Sequence, residues 1–161
     1  MGYINKDDEY FMRQALKLAK NAADLGEVPI GCVITRDENV VASAYNLRET
    51  NKNAAAHAEL LAIGQACEAL GGWRLHGCTL YVTLEPCSMC AGAIVNARID
   101  RVVFAAPDPK AGAFGSVINL SAYPLNHKPE ITRGVLREEA AAMLGDFSRR
   151  LRENRLKTEG R

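Results

Sequence analysis

No apolar run in this chain approaches the roughly 18 to 20 residues that a membrane-spanning helix needs, and no basic-then-apolar leader opens it. The expectation is a cytoplasmic protein with no membrane attachment. No internal repeat, low-complexity tract or linker divides the 161 residues, so residues 1–161 are expected to form one domain, long enough to bury a sizeable core without disulfide staples. A disulfide framework is missing too. Cys32, Cys67, Cys78, Cys87 and Cys90 make an odd number without regular spacing, which suits a reducing compartment. Cys32, Cys67 and Cys78 lie in apolar surroundings and read as small buried hydrophobes, leaving only Cys87 and Cys90 as a close pair. Nor is there an excess of charge, since 20 Lys and Arg stand against 19 Asp and Glu. With 48% hydrophobic and 24% charged residues the composition is that of an ordinary globular protein.

The charge that is present is unevenly placed. Between residues 149 and 161, Arg149, Arg150, Arg152, Arg155, Lys157 and Arg161 outnumber Glu153 and Glu159, six to two, so this tail carries +4 and the remainder −3. Such a segment could grip phosphates. On charge alone the simpler reading is a solvated helix end whose cations complement the helix dipole.

Hydrophobic periodicity orders the elements. Phe11, Ala15, Leu18, Ala22 and Leu25 recur at helical spacing, with Asp7 and Asp8 as caps and Gly26 as a stop, predicting a helix over 8–25. Residues 28–35 and 40–45 are rich in β-branched side chains and are joined by the polar turn 36–39, a hairpin in which Pro29 belongs at a strand start or edge. Residues 54–70 predict a helix that Gly71 and Gly72 stop, 79–83 a strand, 88–97 a helix and 101–105 another strand. Residues 107–115 read as a loop, a short strand is expected near 131–132, and a long basic helix over 136–155 closes the chain, residues 136–161 forming a basic C-terminal helix and tail. A hairpin followed by alternating strands and helices indicates an α/β sandwich with a mixed sheet.

Two short segments carry chemistry: His57-Ala58-Glu59 and Pro86-Cys87-Ser88-Met89-Cys90. One imidazole and two thiols are the donors that a tetrahedral zinc prefers, and three protein ligands leave the fourth position to water. Metal-acidified water is a nucleophile near neutral pH, but a proton must then reach the leaving group. Glu59, beside the histidine and not needed as a ligand, is placed to move it. Both cysteines fall at a predicted strand-to-helix turn, where unpaired N–H groups favour the thiolate. On an ideal helix His57 and Glu59 diverge by about 200°, so they meet one metal only if the helix approaches end-on with His57 in its opening turn.

Each segment alone admits other readings. A lone Cys-x-x-Cys is compatible with a redox dithiol or half of a structural Cys₄ site; the second pair that Cys₄ needs is absent, and a dithiol leaves His57 and Glu59 unexplained. Asn46 reads as a turn residue after the second strand, Ile30 as strand core, and Asp108 and Lys110 as part of a polar loop. His76, Trp73 and Met89 match no motif and read as surface or packing residues.

The combination His-x-Glu followed by Pro-Cys-x-x-Cys is identified as the signature of zinc-dependent nucleobase deaminases. Nearly the whole chain further resembles the bacterial tRNA-specific adenosine deaminases of the zinc-dependent cytidine and deoxycytidylate deaminase superfamily. The segments that carry this are 27–31 (Glu-Val-Pro-Ile-Gly), 56–59, 83–93, 101–104, the loop 108–115, and Asn126-His127 with Glu130-Ile131. The resemblance implies a cytidine-deaminase-like three-layer α/β/α sandwich on a mixed five-stranded sheet, one Zn2+ per subunit on His57, Cys87 and Cys90, and proton transfer by Glu59. It implies hydrolytic deamination of adenosine to inosine at the wobble position of a tRNA anticodon stem-loop, by a homodimer. Carried over by position, Asn46, Ile30 and Ala58 would meet the flipped base, Asp108 and Lys110 the flanking nucleotides, and Asn126, His127 and Phe147 other parts of the RNA. Some relatives carry a second aromatic where this chain has Ser148. Two other readings remain: a deaminase of the same fold acting on a free base or nucleoside such as guanine or cytidine, and a non-catalytic, zinc-stabilised RNA-binding module.

Overall fold

The computed structural model describes residues 6–160. Helix α1 runs over Lys6–Asp24 and is followed by a hairpin of β1 (Gly31–Arg36) and β2 (Asn39–Tyr45). Then come α2 (Ala58–Leu70), β3 (Cys78–Leu84), α3 (Ser88–Asn96), β4 (Arg101–Ala106), a 3-10 turn at Leu120–Ala122, β5 (Glu130–Arg133) and α4 (Arg137–Glu159). The five strands form one mixed sheet in the order β2-β1-β3-β4-β5, antiparallel from β2 to β3 and parallel from β3 to β5. This is the expected α/β architecture.

Alternation along the strands divides the core. Cys32, Ile34, Leu80, Val82, Val102 and Phe104 face α2 and α3 on one side, whereas Val33, Tyr81, Val103 and Ala105 face α1 and α4 on the other. The helical face of α1 is set by Phe11, Met12, Ala15, Ala19 and Ala22; Leu25, expected on that face, lies past the helix end and is 55% exposed. Gly31 lets α1 lie against the sheet, because a Cβ there would fall 1.9 Å from the Ala15 carbonyl oxygen. Any side chain at that position would push helix and strand apart.

The hairpin closes through Asp37 and Glu38, whose φ values of 50° and 64° are those a tight two-residue turn of matching twist requires. Pro29 precedes β1, where its missing N–H costs the ladder nothing.

Two expected element starts are corrected. Asp8, expected as a cap, lies within the first turn of α1 and is fully buried, its carboxylate bound bidentately by Arg101 of β4 at 2.7 and 2.8 Å. The Tyr81 hydroxyl also donates to it at 2.9 Å, and Arg101 donates to Thr132 at 3.0 Å, so one polar knot ties α1 to β3, β4 and β5. Burial and this carboxylate push the Tyr81 pKa well up. Helix α2 begins at Ala58, four residues later than its Ala-rich sequence suggests. The Asn53 side chain accepts from the Ala55 N–H at 2.9 Å and Leu47 N–H bonds the Ala56 carbonyl, which holds 53–56 as a turn. No helix among the described residues is long and apolar enough to cross a membrane.

Candidate metal centre and active site

The late start of α2 resolves the geometry that an ideal helix denied. His57 is its N-cap, in extended backbone conformation (φ −76°, ψ 149°), and its side chain makes no capping bond, so the imidazole is left for other partners. Cys87 is likewise the extended N-cap of α3 (φ −72°, ψ 175°). Helices α2 and α3 pack together on one sheet face and bring their N-termini to the C-terminal end of β3. His57 Nδ1 lies 3.7 Å from Cys87 Sγ and 3.5 Å from Cys90 Sγ. A tetrahedral zinc with its usual bond lengths separates sulfur from nitrogen by about 3.6 Å. The donor atoms of His57, Cys87 and Cys90 all lie within 4.8 Å of one another, the group able to hold a metal ion among the described residues.

The electrostatics of the three donors fit a cation. A hydrogen bond from Cys90, and another from His57, hold the Cys87 thiol as a thiolate and push its pKa down to about 4. Cys90, which shares a proton with that thiolate in a buried position, is pushed up. His57 is raised by its bond to Cys87, with Glu59 adding to the effect. The cluster thus holds one thiolate together with protons that a bound metal would displace. Glu59 is 4% exposed, and burial raises its pKa above the usual carboxylate range, against hydrogen bonds from its own backbone N–H and from Cys90.

A cavity of about 500 Å³ opens above this centre, lined by His57, Glu59, Cys87, Ile30, Asn46, Asp108 and Lys110 together with Val28, Arg48, Leu84, Glu85 and Ala111. Four of the residues placed by resemblance therefore converge with the donors. Asn46 is buried and shapes its turn as well, its amide donating to the Val28 carbonyl at 3.2 Å and its oxygen accepting from Arg48 N–H at 3.1 Å. Asp108 accepts from the N–H groups of Lys110 and Ala111, which folds the loop into a tight turn at the cavity rim.

Other expected residues stand apart. Ala58 is fully buried in the core, so only its backbone remains to meet a ligand. Asn126 is exposed outside the cavity, and the neighbouring His127 ring donates to the Ile99 carbonyl at 2.7 Å. Phe147 lines a separate groove between α1 and α4 with Met143, Ala23 and Arg150. Among the described residues of the tail, Arg149, Arg150, Arg152, Arg155 and Lys157 are exposed along α4. Of the three cysteines read as packing residues, Cys32 and Cys78 are buried and Cys67 is half-buried; none forms a disulfide.

Two carboxylates escape sequence reasoning. Glu27, 1% exposed, accepts the N–H groups of Glu49 and Thr50 at 3.0 and 2.7 Å and so fixes the cavity wall that carries Asn46 and Arg48. Burial alone would raise its pKa; the amides of Thr50 and Glu49, with Arg48 nearby, outweigh that and lower it. Glu85 is 2% exposed and is also lowered, its burial outweighed by hydrogen bonds from Ser116, Asp108 and Phe114. Each precedes a proline by one or two positions, the local pattern of an ordinary turn, and nothing in one sequence marks either as buried.

A family model described as MafB19-like deaminase matches residues 6–152. A tRNA-specific adenosine deaminase of Bacillus subtilis is 52% identical over 149 residues, spanning 92% of each chain. One from Haemophilus influenzae is 45% identical over 92% of this chain and 87% of its own. A solved structure from work on A-to-I editing by tRNA:A34 deaminases at the wobble position of transfer RNA superposes with a TM-score of 0.81 at 44% identity, covering 83% of this chain and 98% of that one. The histidine and the two thiols at helix ends, the buried glutamate beside them and likeness along almost the whole length agree: the chain belongs to the MafB19-like deaminase family and, with the relatives just described, to the tRNA-specific adenosine deaminases.

Proposed function

We propose that this chain hydrolytically deaminates adenosine to inosine at the wobble position of tRNA, bound through the anticodon stem-loop. The observation that carries the reading is the juxtaposition of His57, Cys87 and Cys90 with a buried carboxylate, Glu59, that is not one of the donors, at the floor of a cavity in the size range of ligand sites. A purely structural metal has no use for that carboxylate. Zinc, one per chain, is the metal that a nitrogen and two thiolates suit, and when bound it supplies Lewis acidity that lowers the pKa of water.

The residues divide the remaining work. Glu59 takes a proton from the water that adds to C6 of adenine and passes it to N1. As the C–N bond breaks it carries the second proton to the amino group, which leaves as ammonia. A pKa raised by burial keeps Glu59 able both to accept and to give protons. N–H groups in the first turns of α2 and α3, Ala58 and Ser88 among them, have no intrahelical partner and steady the developing oxygen charge. Ile30 supports the base, and Asn46 reads its edge with an amide that both donates and accepts.

Asp108 and Lys110 meet the neighbouring nucleotides, while Asn126, Phe147 and the cationic end of α4 hold more distant parts of the RNA. A stacked base cannot enter such a cavity, so the target lies in a single-stranded loop with its nucleotide turned out. The active form is a cytoplasmic homodimer, a single catalytic domain in each chain. The test is to incubate zinc-replete protein with an anticodon stem-loop bearing a wobble adenosine, and separately with free adenosine, cytidine and guanine. Inosine in the RNA alone is the expected result; deamination of a free base with none in the RNA would overturn the reading.

A further inference from the structure

Glu85 ends β3's approach to the metal centre, two residues before Cys87, and its own N–H is fixed to Ala106 of β4 at 2.8 Å. A carboxylate this deeply buried needs partners, and among the described residues no cation pairs with it. Its side-chain partners all lie in one loop. Oε1 accepts the Asp108 N–H at 3.1 Å and the Ser116 hydroxyl; Oε2 accepts the N–H groups of Phe114 at 3.0 Å and Ser116 at 3.2 Å. The loop wraps the carboxylate so closely that a Cβ on Gly112 would fall 2.4 Å from the carboxyl carbon. Gly112 in turn bridges to Cys87, and the Ala113 N–H bonds the Pro86 carbonyl at 2.9 Å. From the outer side, Arg133 of β5 donates to the Phe114 carbonyl at 3.0 Å.

The part of the loop between these anchors is the cavity wall. Asp108, Lys110 and Ala111 line the cavity, yet among the described residues the Asp108 side chain bonds only its own turn, at Lys110 and Ala111. We infer that Glu85 is a positioning residue for substrate recognition: the buried carboxylate, gripped by Asp108, Phe114 and Ser116, sets where Asp108 and Lys110 stand against the bound RNA. Through Gly112 it also keeps that wall in register with the centre at Cys87. The inference rests on the proposed RNA substrate only for the ligand whose binding is measured.

Three variants of the zinc-replete protein test it. Glu85→Gln turns an NH₂ group toward N–H donors, Gly112→Ala displaces the loop without altering charge, and Ser116→Ala removes one hydroxyl donor. Glu85→Gln and Gly112→Ala are expected to keep one metal per chain and to raise KM for the wobble-adenosine stem-loop about tenfold or more, with kcat changed by less than about threefold. Ser116→Ala is expected to raise KM about threefold, and it decides the matter if the other two do not fold. Amide exchange at Asp108, Phe114 and Ser116 should quicken selectively, and Glu85→Asp should restore part of the KM loss. A KM within twofold of the parent, unchanged exchange at those amides, or activity lost in step with metal would overturn the inference. An unmodified protein inactive on the stem-loop would sink the functional reading instead, and amide exchange would then decide the role of Glu85.

Discussion

Replacing Glu59 with Gln separates the acid–base group from the metal donors. The structure puts His57, Cys87 and Cys90 within mutual ligand distance and Glu59 outside that set, so Glu59→Gln should leave metal content at one per chain. Gln is isosteric and neutral, and burial already disfavours the charge on Glu59, so the fold should tolerate it. Proton transfer is what disappears. General acid–base catalysis contributes about 10² to 10⁴ in rate, equal to roughly 3 to 5 kcal/mol on the barrier. Because Glu59 serves two transfers in the proposed sequence, the upper end of that range is expected, in kcat and with KM nearly unchanged. The assay is single-turnover inosine formation in the stem-loop, with metal analysis and RNA affinity measured on the same preparation. Metal lost together with activity would make Glu59 a support of the ligands, and a variant retaining more than about a tenth of the parental rate would refute its proton-transfer role.

Replacing Cys87 with Ser should abolish metal retention, read by metal analysis after dialysis; a variant that keeps its metal would contradict the assigned donor set. Metal uptake by the metal-free protein should release protons and strengthen as pH rises through the His57 range. His57 and Cys90 both have raised pKa values without metal and must give up protons to coordinate, whereas Cys87, near 4, has already done so. Calorimetry in buffers of different ionisation enthalpy measures that release, and finding none would contradict the reading. Asp8→Asn should destabilise the fold by about 3 to 5 kcal/mol in chemical denaturation, because it takes the bidentate carboxylate from Arg101, itself only 14% exposed. A loss below about 1 kcal/mol would mean that water or other groups replace Asp8 readily. Deleting residues 149–161 should weaken RNA binding and flatten its dependence on salt, and an unchanged salt slope would return the tail to a solvated helix end.

What could be read from the sequence followed from local chemistry. The hairpin was legible because residues 36–39 are polar between two β-branched runs, and the start of α3 because Pro86 and Cys87 interrupt an apolar strand. The grouping of His57, Cys87 and Cys90 was legible because their side-chain types and spacing are those that zinc prefers. Features made by distant contacts were not. Ala54 to Ala56 has helical composition, yet Asn53 and Leu47 hold it as a turn, and only that delay makes His57 an N-cap able to share a metal with the α3 cysteines. Asp8 has the sequence context of a cap and becomes the partner of an arginine 93 positions away. Nothing local places β1 between β2 and β3, an arrangement set by burial on both faces of the sheet.

The two buried glutamates bear on how one fold can keep its chemistry while its substrate changes. His57, Cys87 and Cys90 hang on helix ends that the sheet core fixes through packing among Ala58, Ala62, Ile94 and Val82, and the loop after β4 meets them only at its anchor, where Gly112 bridges to Cys87. Asn46 and Arg48 on one side of the cavity, and Asp108 and Lys110 on the other, hang on two loops, and each loop is tied down by one carboxylate, Glu27 through the amides of residues 49 and 50, Glu85 through those of 108, 114 and 116. Loop sequences can therefore vary between anchors without disturbing the metal donors, which separates reaction from recognition. The same division gives Glu27→Gln a distinct signature. Its lowered pKa means that the carboxylate's contribution to stability is complete above its ordinary value of 4.5 and is lost as pH falls through the lowered one. Glu27→Gln should thus flatten stability against pH below about 4.5 and weaken RNA binding, with metal content intact. An acid-unfolding curve of unchanged shape would show that the Asn46 wall does not depend on this carboxylate.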